Sequence, residues 1–342
     1  MKFMKNIFWG LLIASVFSLQ LIALDSPEDV PGFKNVELDP VTGMPFHSKG
    51  KYRSPFADPD SKGPCTIKVG FLLKSITNYS VKDGKFEADF YVSYTSDKPM
   101  PRHISPEFVN GLLEDDDMKI TIANEPTFKL WKFHIKFNNE PDLRDYPFDM
   151  QELRMEFEED DDGIDKIRYV ADQEHINFDS EFMLPGWEVH YIEGKVINHY
   201  YPDRFQYDDL YYPRFMVHVG VDRYATSAIF TVFLPALVIV LVALSSILLP
   251  HQSIDTRINT TAPMLAAAVF FHYTLKQEVP PTAYLTRADK LMISVYGGLL
   301  VTMFSTWILL LTPEKYHDSI YKWSKRGVPL LNILLFILGS TL

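Results

Sequence analysis

Three groups of side chains in the 342-residue sequence offer binding or proton chemistry, and none has the spacing of an enzyme active site. The ten histidines are scattered, and neither a G-x-S-x-G nor an H-E-x-x-H motif occurs. The lone cysteine, Cys65, has no local partner motif and excludes an intrachain disulfide. We therefore expect a protein that is not an enzyme and requires no cofactor. The three groups are an acidic run, an aromatic-rich segment, and single charged residues beside apolar stretches.

The acidic run 158–163 (E-E-D-D-D-G) presents carboxylate oxygens at high density. Ca²⁺ prefers such ligands, so Asp160, Asp161 and Asp162 are candidate ligands of Ca²⁺ acting as a modulator. The spacing is not that of an EF-hand loop, because the position of its last ligand is occupied by Tyr169 instead of a glutamate. A solvated acidic hairpin is the alternative.

Charge is unevenly distributed along the chain. Residues 25–223 hold 23 basic and 39 acidic side chains, whereas residues 224–342 hold eight and five. The acidic excess excludes nucleic acid as a partner, because there is no basic face to neutralise phosphates. Long charge-free runs occur at 224–254 and 291–313, and about 20 apolar residues span a bilayer as a helix.

The charge-free runs predict a transmembrane domain over residues 224–342. Its four helices are expected at about 224–249, 256–278, 287–312 and 319–342. The second is the most polar, as expected for a helix that faces water while the others shield it. A short re-entrant or interfacial helix is the alternative for this segment.

The N-terminal residues suggest export. Residues 1–24 combine a basic start with an apolar stretch, which predicts a cleaved signal peptide, with an uncleaved anchor as the alternative. Residues 25–64 are rich in proline and predict an extended lead-in. The basic connection 311–327 then lies in the cytoplasm, so we expect the N-terminal domain and the C-terminus in the periplasm.

Residues 65–223 predict an all-β domain. Apolar residues alternate with polar ones in several short runs, such as Phe86, Ala88, Phe90 and Val92, and Asp83-Gly84 is a hairpin signal. Short alternating strands separated by proline, glycine and aspartate predict an antiparallel sandwich.

The order of several motifs resembles the pentameric ligand-gated ion channels. Tyr146-Pro147-Phe148-Asp149 followed by Gln151 is similar to the Cys-loop signature of that family. Asn139 and Leu153 stand where animal members have cysteines, as in bacterial members that lack this disulfide. Arg223 before the first predicted span and Pro235 within it also match, and the resemblance covers residues 65–342.

The resemblance implies an all-β extracellular immunoglobulin-like sandwich followed by an all-α four-helix transmembrane bundle. It implies a homopentamer in the bacterial inner membrane, in contact with lipid, that conducts monovalent cations when an agonist binds between subunits. A small molecule, a divalent ion or a proton is the expected agonist. The alternative from another class is a membrane-tethered periplasmic sensor that binds a ligand or carbohydrate and has no pore.

The helical spacing of the second predicted span assigns one face to the pore. The residues of this face are Asn259, Pro263, Ala266, Phe270, Tyr273 and Gln277. The gate is expected at Phe270 and Tyr273, and packing of these two rings between helices is the alternative. Asp255 and Glu278, at the two ends of this helix, are the expected selectivity residues. Arg257 is expected to point away from the lumen, as in the family.

The resemblance also assigns coupling and ligand residues. Asp149 and Arg223 match an acidic–basic cluster of the family, Pro280 lies in the loop expected to press against it, and Asp83 is a weaker third member. The ligand pool comprises Tyr200, Tyr201, Phe205, Tyr207, Tyr211, Tyr212 and Glu158. The sequence departs from the family at Tyr94, where a tryptophan is usual, and at the acidic run, where an aromatic residue is usual.

Overall fold

The computed structural model describes residues 64–112, 118–159, 163, 164, 166–201 and 210–341, without the side chains of residues 200, 201, 210 and 211. The chain divides into two compact units. The helical unit contains Asp142–Asp149 and Arg223–Leu342, and the sheet unit contains the described residues up to Pro141 together with Met150–Asp222. The predicted signal peptide and nearly all of the predicted lead-in lie outside the described residues.

The sheet unit contains ten strands in the described part of the chain. Their bounds are β1 Cys65–Ser80, β2 Lys85–Thr95, β3 Pro106–Phe108, β4 Gly111–Leu112, β5 Lys119–Asn124, β6 Phe128–Asn138, β7 Met150–Glu159, β8 Ile167–Phe178, β9 Trp187–Tyr201 and β10 Leu210–Arg223. One sheet has the order β4-β6-β2-β1-β8, with β5 also paired to β6. The other has the order β3-β7-β10-β9.

Alternation along the strands produces the core of the sheet unit. In β2, Phe86, Ala88, Phe90 and Val92 are fully buried, and the residues between them are half-buried. The ring of Phe90 stacks on Phe71 of β1 at 5.0 Å between ring centroids. Aromatic side chains bury large apolar areas, so a core of this kind is stable without a disulfide. Tyr94 belongs to this core, and its hydroxyl lies 2.6 Å from that of Tyr169.

The hairpin between β1 and β2 follows its sequence signal. Gly84 has a φ of +59°, which a residue without a Cβ adopts at little cost. Ser80 donates from its hydroxyl to Asp83 Oδ2 at 2.7 Å, and the backbone N–H of Asp83 donates back to Ser80 Oγ at 3.1 Å. These local bonds close the turn.

The helical unit contains four long helices: α1 Ala225–Leu248, α2 Ile254–Gln277, α3 Arg287–Leu311 and α4 His317–Thr341. In α1, residues Ile229–Phe233 form a π-helical segment immediately before Leu234 and Pro235. Proline lacks an N–H and its ring clashes with the carbonyl four residues earlier, so the wider turn relieves that contact. A turn of 3₁₀-helix, Glu314–Tyr316, precedes α4.

The expected fold class, an immunoglobulin-like sandwich followed by a four-helix transmembrane bundle, is wrong. The described residues form ten strands in two sheets, and among the helices they form only α1 and α3 are long and apolar enough to cross a membrane, judged by length and composition. The helix α2 is too polar for that test, and the first ten residues of α4 include four charged side chains. In addition, β8 pairs with β1 in parallel, whereas the expected sandwich is antiparallel.

Candidate functional site

The segment Asp142–Asp149 connects β6 to β7 yet packs within the helical unit. Leu143, Tyr146 and Asp149 are buried, whereas Arg144 and Asp145 between them are exposed. A connection between two strands that packs with helices ties those strands to the helices through the backbone. We call this segment the coupling loop.

Asp149 and Arg223 form a two-point ion pair at the end of the coupling loop. Arg223 donates from Nε to Asp149 Oδ1 at 2.8 Å and from Nη2 to Oδ2 at 3.2 Å. The Asp149 side chain is 1% exposed and that of Arg223 is 22% exposed. Two parallel bonds between a guanidinium and a carboxylate are directional as well as strong. The pair therefore fixes the start of α1 to the coupling loop.

Tyr146 supports this ion pair. The guanidinium of Arg223 lies 5.2 Å from the centre of the Tyr146 ring, a cation–π distance. Burial raises the pKa of the Tyr146 hydroxyl, and the nearby carboxylates of Asp149 and Glu278 add to the increase while Arg223 opposes it. Tyr146 is therefore a neutral ring at any physiological pH.

The coupling loop also caps α3. The backbone N–H groups of Arg287 and Ala288 donate to the carbonyls of Arg144 and Tyr146, both at 2.9 Å. The third N–H of this helix, that of Asp289, donates to the hydroxyl of Thr286 at 3.1 Å. The first N–H groups of a helix have no partner inside it, so the loop supplies acceptors that α3 needs. A displacement of the loop therefore pulls directly on α3.

Side chains extend these contacts to α1 and to the segment before α3. Phe148 packs against Phe233 of α1, with 5.3 Å between ring centroids, and Arg287 lies 5.3 Å from the centre of the Phe148 ring. The hydroxyl of Tyr284 accepts from the backbone N–H of Leu143 at 2.9 Å. Tyr284 is the last residue of the loop 279–284 that was expected to press against the Asp149 and Arg223 cluster. Arg287 was not predicted, although an arginine just after a Pro-Pro loop was a usable signal.

The other two predicted coupling residues are Pro280 and Asp83. Pro280 is half-buried in the segment between α2 and α3. Asp83 is exposed in the hairpin turn of the sheet unit, where it accepts from Ser80. The structure thus brings together Asp149 and Arg223 from the predicted set.

The predicted pore face of α2 is exposed in the single chain. All six predicted residues are exposed, and Phe270 and Tyr273 are exposed to 72% and 65%. Asp255 and Glu278 at the ends of the helix are also exposed. Arg257 is fully buried and donates from Nε to the carbonyl of Ser246 on α1 at 3.1 Å.

Most of the predicted ligand-binding side chains lie outside the part of the chain that the structure describes. Phe205 and Tyr207 lie outside the described residues, and Tyr200, Tyr201 and Tyr211 lie in strands without described side chains. Tyr212 is half-buried. Glu158 is 5% exposed and accepts from Arg214 Nε at 2.5 Å, so its charge is already paired within the chain.

The candidate Ca²⁺ ligands Asp160, Asp161 and Asp162 also lie outside the described residues. Among the residues that are described, no group of three histidine, cysteine, aspartate or glutamate side chains is arranged to hold a metal ion.

Glu152 on β7 should make the stability of the fold depend on pH. It accepts from Arg154 Nε at 2.9 Å and from the Tyr191 hydroxyl at 3.2 Å, and His218 Nδ1 lies 3.0 Å away. Burial raises the pKa of the Glu152 carboxyl, but the bond from Arg154 and the electrostatic attraction of His218 outweigh burial and hold the pKa below its ordinary value. A depressed pKa stabilises the fold above the ordinary pKa of the group, and this stabilisation is lost as the pH falls.

We expect Glu152→Gln to lower the stability of the detergent-solubilised protein by about 1 kcal/mol at pH 7, because the side chain is partly exposed. The difference from the unmodified protein should shrink as the pH falls below the carboxyl range. Thermal unfolding followed by circular dichroism between pH 7 and pH 3 measures it, with Glu188→Gln, exposed on β9, as the control. An effect of Glu152→Gln that grows toward low pH would contradict this assignment.

We found no match to the chain among protein-family models or among curated proteins.

Proposed function

We propose that the chain is one subunit of a ligand-gated, cation-selective ion channel, assembled as a homopentamer in the bacterial inner membrane. In this proposal α2 lines the pore, and the N-terminal domain and the C-terminus lie in the periplasm. Agonist binding to the sheet unit is transmitted through the coupling loop to the helices.

The observation that carries the proposal is the exposed face of α2. This face presents two amides, a proline, a small residue and two aromatic rings to the outside of the chain, beside two helices that are apolar enough to cross a membrane. Thr261 of α2 donates to Ser246 of α1 at 3.1 Å, so α2 packs directly against one of those apolar helices. A polar helix beside apolar ones is stable in a membrane only where its polar face lines water or protein.

The coupling loop supports the gating part of the proposal. Its backbone carbonyls cap α3, and the side chain of its last residue, Asp149, holds Arg223 two residues before α1. A rearrangement of β6 and β7 on agonist binding therefore moves two helices that flank α2. The agonist is proposed to be a small amine, a divalent ion such as Ca²⁺, or a proton.

Current through a planar bilayer containing the purified protein tests the proposal. We expect single-channel events when short primary amines, Ca²⁺ or acidic buffer are added in turn. Folded protein that gives no current under any of these conditions, and that sediments as a monomer in detergent, would instead favour a membrane-tethered sensor without a pore.

Cation selectivity provides a sharper prediction. In a NaCl gradient the reversal potential should lie near the sodium equilibrium potential, because five exposed Asp255 carboxylates at one narrow mouth attract cations at short range. We expect Asp255→Asn to reduce the sodium-to-chloride permeability ratio by roughly tenfold, equivalent to about 1.4 kcal/mol, and Glu278→Gln to reduce it less.

Asp318→Asn is the matched control for this measurement. Asp318 is an aspartate with an 83% exposed side chain on α4 rather than on α2. A reversal potential near that of chloride in the unmodified protein would contradict cation selectivity. An equal effect of Asp318→Asn and Asp255→Asn would contradict the role of Asp255.

A further inference from the structure

A group of hydrogen-bonded side chains lies between α2 and α3, beside the N-terminus of α3. Its centre is the carboxylate of Asp289, whose side chain is 4% exposed. Lys276 Nζ lies 2.6 Å from Asp289 Oδ2, and His272 Nε2 lies 2.9 Å from Oδ1. The backbone N–H of Thr286 also donates to Oδ2 at 2.9 Å, so this carboxylate is held in place from three sides.

His272 uses both ring nitrogens. Besides the contact with Asp289, its Nδ1 lies 3.0 Å from the hydroxyl oxygen of Tyr296 on α3. The same hydroxyl lies 3.5 Å from the backbone carbonyl of Ala268, one turn earlier on α2. The hydroxyl of Tyr296 therefore has two acceptors within reach, an imidazole nitrogen and a backbone carbonyl, and a single hydrogen to donate.

The charged and titratable groups facing His272 are few and identifiable. From α3 they are Asp289 and Tyr296, and from α2 itself the group is Lys276. The other helix packed against α2 is α1, whose 24 residues contain no titratable side chain. One carboxylate, one ammonium and one phenol of the described residues therefore lie around the imidazole of His272.

Protonation of His272 must redirect the hydrogen of Tyr296. In the neutral imidazole, Nε2–H donates to Asp289 and Nδ1 accepts from the Tyr296 hydroxyl. In the imidazolium ion both nitrogens donate, so Nδ1–H points at the Tyr296 oxygen, which then cannot donate to His272. The hydrogen of Tyr296 turns to the carbonyl of Ala268, and the 3.5 Å separation must shorten for a good bond.

We propose that His272 is a proton-binding site that switches the Tyr296 hydroxyl between the imidazole of His272 and the backbone of α2, and so regulates the pore. The regulatory part rests on the proposed channel function. Phe270 and Tyr273, the two exposed aromatic residues of α2, lie two positions before and one position after His272. A change in the bonding of α2 to α3 at Ala268 and His272 therefore acts at the level of the proposed gate.

Two measurements on the full-length protein test the proposal, and each has its own readout. The first is the ¹³C-histidine NMR spectrum in detergent between pH 4.5 and 8, in which the His272 resonance is identified by its loss in His272→Gln. The second is the open probability in a planar bilayer over the same pH range. Both measurements are repeated on the variants Tyr296→Phe and Lys276→Gln and on the control His190→Gln. In the unmodified protein the imidazole of His190 lies 2.8 Å from Asp222 at an exposed place in the sheet unit.

The two test variants should move the titration of His272 in opposite directions. Tyr296→Phe removes the oxygen that accepts from the imidazolium, so the midpoint should fall by about half a unit to one unit. Lys276→Gln removes a like charge and keeps a donor for Asp289, so the midpoint should rise by about the same amount. The pH midpoint of the current should shift with the same signs, and His190→Gln should leave both midpoints unchanged.

The possible results separate the two proposals. Midpoints of the His272 resonance that are the same in both variants as in the unmodified protein would overturn the proton site, whatever the currents show. Shifted NMR midpoints together with an unshifted pH dependence of the current would overturn the regulatory role. A complete absence of current in the unmodified protein would contradict the channel function, while the NMR shifts would still decide whether His272 is the proton site.

Discussion

Asp149→Ala should destabilise the folded protein by about 3–5 kcal/mol and abolish agonist-evoked current, the largest effect we expect from any single substitution. The Asp149 side chain is 1% exposed, so its removal leaves the guanidinium of Arg223 without its two-point acceptor in a largely buried place. Denaturant-induced unfolding in detergent measures the first effect, and bilayer recording of protein that still forms the oligomer measures the second.

Asp142→Ala is the matched control, because it removes the carboxylate from the same coupling loop. Its pair with Arg144 is 2.8 Å long, but the two side chains are 57% and 52% exposed, and such surface pairs contribute at most about 1 kcal/mol. In the double variant Asp149→Ala/Arg223→Ala, the loss of stability should be smaller than the sum of the single losses. Additive losses, or an Asp149→Ala protein as stable as the control, would refute a coupled buried pair.

Phe270→Ala and Tyr273→Ala should each increase the leak through the closed state by roughly tenfold, as expected if about 1.4 kcal/mol of barrier is removed. Five aromatic rings at one level of a narrow pore exclude water, and alanine at the same level admits it. Single-channel recording without agonist measures the leak.

Phe230→Ala is the matched control for the gate. Phe230 is 67% exposed on α1, so this variant removes a ring of the same size from a helix that the proposal does not place at the pore. A leak that rises equally in Phe270→Ala and Phe230→Ala would show that loss of helix packing, and not a gate at Phe270, causes the conductance.

Local sequence patterns predicted the alternating burial along the strands and the difference in polarity between the helices. Alternation at Phe86, Ala88, Phe90 and Val92 predicted which side chains are buried in β2, because neighbouring residues in a strand point to opposite faces. The Asp83-Gly84 signal coincides with the turn between β1 and β2, since glycine readily adopts a positive φ. These features depend on residues only a few positions apart.

The predicted fold class was wrong in features that depend on pairing between distant parts of the chain. The parallel partnership of β1 and β8 joins segments about a hundred residues apart, and no periodicity within either strand distinguishes a parallel from an antiparallel neighbour. The number of apolar spans also fell short of expectation, because charge-free length alone overstated the hydrophobicity of the second and fourth helices.

The candidate site also has some features that follow from the sequence and others that follow only from the tertiary structure. The amino-acid order determined which side chains can pair, namely a carboxylate at Asp149, a guanidinium at Arg223, and an imidazole on a polar helix at His272. The resemblance predicted that Asp149 and Arg223 belong to one cluster, although they are 74 residues apart. Only the tertiary structure showed that His272 meets Asp289, 17 residues away on a different helix. These groups come within hydrogen-bonding distance because the coupling loop packs on α1 and α3, and because α2 packs on α3. Such packing depends on whole helix faces and not on any local sequence pattern.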